Sequence, residues 1–267
     1  MKHKIKKNSK EFDISTILVA IPVFNEYKYI NEILCTVKNY SKDILVIDDG
    51  STDGTSSELR KYTDIKILTH TINLGYGQSV IDAFRYAYDN NYEWVITLDC
   101  DSQHEPSYLL DFYNEIEKNM FDIISGTRYI QKLGIESKPP PADRVVINKL
   151  ITSILNRKLK LNLTDSFCGF KAYRVLSVLS LELNEKGYGL PLQLWILASK
   201  ANLRICEISV PMIYHDSQRN FCGIFENAYN RLNYYVKIIE KELGYTIDKD
   251  IRQYFSSSPE RCYICES

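Results

Sequence analysis

The 267-residue sequence sets 33 Lys and Arg against 34 Asp and Glu, for a formal net charge of −1. It therefore lacks the basic excess of a nucleic-acid-binding protein. With 45% hydrophobic and 25% charged residues it reads as a folded globular protein rather than a disordered one. No run of about 18 apolar residues is present, which speaks against a transmembrane helix. The basic stretch Met1 to Lys10 lacks the apolar centre of a signal peptide. Seven cysteines, an odd number, are scattered from Cys35 to Cys265, a pattern that fits free thiols in a reducing, cytoplasmic setting. The single Cys262-Tyr-Ile-Cys265 pair has no second pair to complete a zinc site and reads as two free thiols.

In chain order, Ile14 to Ile21 is an apolar run closed by Pro22 and reads as a buried strand. Tyr27 to Tyr40 carries Ile30, Ile33, Leu34 and Val37 at helical spacing. Asp43 to Ile47 reads as a second strand, followed by a polar turn, Asp48 to Thr55, and a short helix, Ser56 to Tyr62. Ile65 to Leu68 is a third strand and Gln78 to Tyr88 a helix. Trp94 to Leu98 is a fourth strand, Pro106 to Lys118 a helix with proline in its first turn, and Asp122 to Gly126 a fifth strand. The second half is less regular. It offers a proline-rich loop, Gln131 to Ala142, then helices at Arg144 to Leu159 and Pro191 to Lys200. A strand follows at Leu203 to Val210, and a long tyrosine-rich helix at Phe221 to Leu243.

Strands alternating with helices imply parallel βαβ units and an open α/β sheet. Ligands of such sheets bind beyond the carboxyl ends of the strands. The clusters Asn25-Glu26, Asp48-Asp49, Asp99 to Asp101 and Thr127-Arg128 each follow a strand and should converge on one crevice. The expected organisation is a basic tail over residues 1–12, one α/β domain over 13–220, and a C-terminal helix and tail over 221–267.

Asp99-Cys-Asp101-Ser-Gln103-His104 places two carboxylates one residue apart just past a buried strand. Oxygen ligands in this pattern suit Mg²⁺ or Mn²⁺, and such an ion can clamp a diphosphate. A solvated acidic turn would show the same letters. In Asp48-Asp49-Gly50-Ser51-Thr52-Asp53-Gly54-Thr55 the carboxylates can accept hydrogen bonds from a base or ribose, or serve as helix caps. Pro22-Val-Phe24-Asn25-Glu26 sets an aromatic ring and a carboxylate beside the first strand, suited to a nucleobase or to a capped helix start.

Together these segments resemble glycosyltransferase family 2. Pro22, Asn25 and Glu26 match the family's Pro-x-x-Asn-Glu, and Asp48 to Ser51 with Asp53 match its Asp-Asp-Gly-Ser-x-Asp. Asn73, Gly75 and Gly77 match Asn-x-Gly-x-Gly. Asp99, Asp101, Gln103, His104 and Pro106 match the Asp-x-Asp-x-Gln-His-x-Pro of the polyprenyl-phosphate sugar transferase (dolichyl-phosphate mannose synthase-like) branch. Gly126 and Arg128 match Gly-x-Arg, and Asp165 to Lys171 match an acceptor-side Asp-x-x-x-Gly-Phe-Lys. The matches span roughly residues 14–220. The resemblance implies a GT-A fold: a single Rossmann-like, mostly parallel central sheet flanked by helices, with a C-terminal helical extension. It also implies inverting sugar transfer from a UDP- or GDP-linked donor, with Mg²⁺ or Mn²⁺.

By the same resemblance Pro22, Phe24, Glu26 and Asp49 line the nucleoside pocket, with Asp48 close by. Asp99 and Asp101 hold metal and diphosphate, with Gln103 beside them. Arg128 and Arg219 are phosphate contacts, Arg219 otherwise a surface arginine. Asp165 is the base if the acceptor is a sugar hydroxyl, and an orienting group if the acceptor is an ionised lipid phosphate. His104 reads as structural. Lys171 and Arg174 are either anion contacts or surface charges. The apolar face of the Arg144 helix either packs on the sheet or meets a polyprenyl chain. Tyr229, Tyr234 and Tyr235 read as interfacial, through a homodimer or a membrane surface, or as core. Expected partners are the donor and an acceptor that is lipid-linked, a cell-surface glycan precursor or a soluble sugar, reached by peripheral contact with the inner membrane face. A nucleotidyltransferase would carry a glycine-rich basic loop where Pro22 to Glu26 stand. A non-catalytic nucleotide-binding scaffold would not need the intact acids.

Overall fold

The computed structural model describes residues 13–101, 103–129, 141–210, 227–249 and 251. The proline-rich loop, Arg219, the cysteine pair and the basic tail lie outside the described residues, apart from Pro141 and Ala142. Seven strands form one sheet: β1 (Ile17–Val23), β2 (Ile44–Asp48), β3 (Lys66–Thr69), β4 (Trp94–Thr97), β5 (Ile123–Thr127), β6 (Lys171–Arg174) and β7 (Ile205–Ser209). Their order is β3-β2-β1-β4-β6-β5-β7. All neighbours are parallel except β6, which runs antiparallel to both β4 and β5. The mostly parallel α/β sheet expected from the alternating pattern is therefore observed.

The central strands are apolar because both of their faces are covered. Along β1 successive side chains alternate between two cores. Leu18 and Ala20 join the first, and Ile17, Val19, Ile21 and Val23 the second. The first core is closed by α3 (Tyr76–Asp89), α5 (Ala142–Leu159), α6 (Val175–Leu179), α7 (Leu190–Lys200) and α8 (Ala228–Leu243). The second is closed by α1 (Ile30–Val37), α2 (Thr55–Leu59) and α4 (Leu109–Glu117). The face of α5 bearing Ile147, Leu150, Ile151, Ile154 and Leu155 is buried in the first core, so it packs. Leu232, Tyr235, Val236, Ile238 and Ile239 place α8 in that same core. Tyr235 is thus a core residue, and the Tyr234 hydroxyl donates to Glu185 Oε1 at 2.7 Å and accepts from the Gly189 N–H. Of the three tyrosines only Tyr229 is exposed.

Three elements depart most from the sequence reading: the first strand, β6, and the short helix α6, which was not foreseen. The first strand begins three residues late, because the Asp13 carboxylate takes the Ser15 N–H at 2.9 Å and turns Ile14–Thr16 into a short 3₁₀ helix. Strand β6 was not foreseen at all. Its four residues, Lys-Ala-Tyr-Arg, carry two cations, yet all but Arg174 are buried.

The end of the sheet away from the crevice is tied by Asp122. Arg204 grips its carboxylate with Nε and Nη2, both at 2.9 Å, and Arg174 lies 3.4 Å away. Arg174 is therefore a structural tie across β5, β6 and β7 and stands at the wrong end for an anionic acceptor. The Arg204 hydrogen bonds pull the Asp122 carboxyl down to about 2. A depressed carboxyl stabilises the fold above its unfolded value of 3.8 and loses that contribution as pH falls through about 2. Asp122→Asn is expected to lower the melting temperature by roughly 2–4 °C at pH 7 and by less near pH 2. Thermal melts across that range check it.

Candidate functional site

Strands β1, β2, β4 and β5 all end at one edge of the sheet, and β6, running the other way, begins there, with Lys171 opposite Thr97. The antiparallel strand thus delivers the segment before it, Asp165 to Phe170, to the crevice at the parallel strands' carboxyl ends.

The turns after β1 and β2 are knitted together. Asn25 Oδ1 accepts the Thr52 N–H at 2.7 Å, the Asn25 N–H donates to Ser51 Oγ, the Glu26 N–H to Thr55 Oγ1, and the Tyr27 N–H to Asp53 Oδ2. Asn25 adopts φ 58°, a left-handed conformation asparagine tolerates. Gly50 has φ +72° and sits so close to Ile72 and Asn73 backbone that a Cβ would lie 2.6 Å from Ile72 C. Only glycine fits there. Asp48 is buried and spends its oxygens inside this turn, on the Ser51 N–H and the Ser56 hydroxyl. Asp49 is also buried, accepting from the Leu74 N–H (2.7 Å), the Gly75 N–H (2.8 Å) and His70 Nδ1 (2.7 Å). This ties the glycine-rich start of α3 to β2. Phe24 is 43% exposed beside it, and Pro22 and Glu26 are partly exposed.

Asp99 follows β4. Burial, and then the neighbouring Asp101 charge, raise its carboxyl, and the charges of His104, Lys171 and Arg128 counteract. Burial, and then the Asp99 charge, push the nearby Tyr76 hydroxyl well up. Asp101 Oδ1 accepts the Gln103 N–H at 3.0 Å, which closes the turn. His104 is buried against Cys168 Sγ (3.7 Å) and the Phe170 ring (5.8 Å between centroids), the structural position its sequence context suggested. Among the described residues no group of three or more His, Cys, Asp or Glu forms a closed metal cage. The Asp99–Asp101 pair still suits a hard cation, since two neighbouring carboxylates, one raised by burial and repulsion, gain from a positive charge.

Arg128, after β5, grips Asp165 in a fork, Nε to Oδ2 at 2.5 Å and Nη2 to Oδ1 at 2.8 Å. Asp165 is fully buried and also accepts from Asn148 Nδ2 (3.0 Å) and the Phe167 N–H (3.1 Å). Burial alone would raise its carboxyl, but the Arg128 charge overrides it and holds the group far below the usual range. Glu207 on β7 accepts the Thr164 and Asp165 N–H groups and so fixes the loop itself. Lys171 is not a surface charge. It is buried, its ammonium donates to the Cys168 carbonyl and lies 5.5 Å from the Trp195 ring, and burial lowers its pKa.

The sequence model described as Glycosyl transferase family 2 matches residues 18–179, more than half of the chain. The chain belongs to glycosyltransferase family 2. It is 27% identical over 206 residues to the undecaprenyl-phosphate mannosyltransferase of Micrococcus luteus, covering 74% of this chain and 83% of that protein. It is likewise 27% identical over 217 residues to the UDP-N-acetylglucosamine–dolichyl-phosphate N-acetylglucosaminyltransferase of Methanococcus voltae, covering 74% and 86%. The fold is shared with glucosyl-3-phosphoglycerate synthase from Mycobacterium tuberculosis, crystallised with Mn²⁺, UDP and phosphoglyceric acid. That match has a TM-score of 0.63 and 15% identity, covering 87% of this chain and 80% of that one. Among the described residues no helix of this glycosyltransferase is long and apolar enough to cross a membrane.

Some residues around this crevice escaped the sequence reading. Tyr76 sits inside the glycine motif but reads as one more aromatic. Asn148 is the legible one: with Thr152, four residues on, it breaks the apolar face of α5. Gly169, by contrast, was part of the Asp-x-x-x-Gly-Phe-Lys match, and the structure gives its physical reason: a Cβ there would collide with the Asp99 carboxylate. Gly169→Ala should therefore displace Asp99 and reduce transfer by about a hundredfold, a shift of the kind that misplacing a reacting group by 1 Å produces. The circular dichroism spectrum should stay native while steady-state turnover falls.

Proposed function

We propose that this glycosyltransferase moves a sugar, with inversion, from a nucleotide diphosphate sugar to the phosphate of a polyprenyl phosphate. Asp49, Phe24, Pro22 and Glu26 receive the nucleoside. Asp99 and Asp101, with Gln103 beside them, hold a Mg²⁺ or Mn²⁺ ion with the donor diphosphate. Such an ion supplies charge neutralisation for the departing diphosphate. Arg128 and Arg219 contribute guanidinium contacts to phosphate oxygens.

The observation that carries the acceptor assignment is the condition of Asp165. A general base needs a free lone pair and a pKa near the working pH. Asp165 is buried, forked to Arg128, bonded to Asn148 and held at very low pKa. It is a poor proton acceptor and a good orienting group. A sugar hydroxyl acceptor would need the base that Asp165 is not, whereas a phosphate acceptor is already ionised. The two enzymes named above carry undecaprenyl phosphate and dolichyl phosphate in their names, which supports the same reading. The acceptor would then be met by peripheral contact with a lipid surface.

The test incubates protein with Mn²⁺ or Mg²⁺, radiolabelled UDP- or GDP-linked sugars, and a short polyprenyl phosphate, followed by organic extraction. Label in a mild-acid-labile lipid product supports the proposal. Label confined to soluble glycan or phosphorylated small molecules overturns the acceptor, and pyrophosphate release from a nucleoside triphosphate would revive the nucleotidyltransferase alternative.

A further inference from the structure

His70 follows β3 directly, a position to which none of the sequence motifs assigns a role. Its side chain is 7% exposed and lies between two carboxylates. Nδ1 is 2.7 Å from Asp49 Oδ1, and Nε2 is 3.2 Å from Asp82 Oδ2 on α3, out of line for a hydrogen bond. Asp82 is itself held by Gln78 Nε2 at 2.9 Å and Arg85 Nη1 at 3.0 Å. Because an ionised carboxylate only accepts, Nδ1 carries the hydrogen of the shorter contact.

The acceptor capacity of Asp49 is nearly used up. Each carboxylate oxygen accepts about two hydrogen bonds. Among the described residues Oδ1 takes the Leu74 N–H and His70, while Oδ2 takes only the Gly75 N–H. One acceptor site therefore remains, on Oδ2. The two backbone donors come from the turn into α3, and His70 is the one side-chain donor to Asp49 among the described residues. Without it Oδ1 keeps only the Leu74 N–H, and the orientation of the carboxylate rests on the two backbone donors alone.

We infer that His70 is a positioning residue for donor binding, aiming the remaining acceptor site of Asp49 at an N–H of the donor nucleobase, with Asp82 steadying the imidazole from behind. This rests on the reading of Asp49 as a nucleobase contact. The effect lies in ground-state binding of the nucleotide, so it appears in Kd and KM and not in kcat at saturating donor.

Three substitutions separate this from simple packing. Asn places its amide nitrogen where Nδ1 stands and keeps the donor to Asp49. Gln places its amide where Nε2 stands, facing Asp82, and Leu removes both. UDP and GDP with Mn²⁺ are titrated calorimetrically into wild type, the three His70 variants and Asp49→Asn. His70→Gln and His70→Leu should weaken binding at least about tenfold, equivalent to 1.4 kcal/mol, and His70→Asn by no more than about threefold. Donor KM should follow, with kcat within about threefold of wild type. If His70→Leu does not fold, the contrast between Asn and Gln decides alone. Equal affinities in wild type and every His70 variant, with Asp49→Asn weakened, would overturn the inference and leave the donor site standing. Equal weakening by Asn and Gln would mark a packing role and overturn it too. Unchanged binding in Asp49→Asn, or no binding by wild type, would overturn the nucleobase reading and this inference with it.

Discussion

Asp101→Asn should lower kcat/KM by at least about a thousandfold, or about 4 kcal/mol of transition-state stabilisation, and should abolish the metal dependence of nucleotide binding. The side chain keeps its shape, and the turn hydrogen bond from Gln103 persists, because the Asn amide oxygen still accepts. What is lost is one of the two charges that make the β4 turn suitable for a divalent cation. Asp99→Asn should be equally inactive for a different structural reason. Its carboxyl is raised by burial and by Asp101, so the ionised form weighs against the folded state. Removing that charge relieves it, and Asp99→Asn should melt at least as high as wild type in EDTA. An inactive variant of undiminished stability is the signature of a residue kept for function. Differential scanning calorimetry beside steady-state kinetics reads both effects, and a marked loss of stability in Asp99→Asn would refute the argument.

The Arg128–Asp165 fork should yield the second large effect. Arg128→Met leaves a fully buried carboxylate without its partner and should cost about 3–5 kcal/mol of stability. Its loss of a phosphate contact should also lower turnover by about 10² to 10³. Asp165→Asn retains Arg128 and Asn148 around a neutral amide and should lose roughly a hundredfold in turnover with a smaller loss of stability. The pH profile separates orientation from base catalysis. With its carboxyl held far below 3.8, Asp165 is ionised throughout the working range. Its contribution to stability is complete above that ordinary value and falls away only as pH drops through the depressed folded value. Wild-type kcat/KM should therefore show no acidic limb from Asp165 between pH 5 and 8. A limb in that range that disappears in Asp165→Asn would make Asp165 the base and the acceptor a hydroxyl.

Much of this architecture was legible because parallel strands buried on both faces read as apolar runs, and because each run here ends in polar residues that the sheet gathers at one edge. Where the reading missed, the cause lies in tertiary contacts. Strand β6 hides because Lys171 and Arg174 look solvated. Lys171 is buried through the Cys168 carbonyl and the Trp195 ring, and Arg174 lies over Trp94 beside Asp122. Spacing does not announce such partners. Nor does it separate Asp48, the last residue of β2, from Asp49 just beyond it: only the fold shows one bonded to Ser51 and Ser56 and the other to the start of α3. His70 went unread because a lone histidine carries no pattern until its two carboxylates, distant in sequence, are brought to it.

The most direct test of the account is a calorimetric titration of UDP, GDP and CDP into wild-type and Asp101→Ala protein, with and without Mn²⁺. The account predicts that one nucleoside diphosphate binds wild type, that binding needs the metal, and that Asp101→Ala loses it. Binding of no nucleotide, or binding indifferent to both the metal and Asp101, would contradict it.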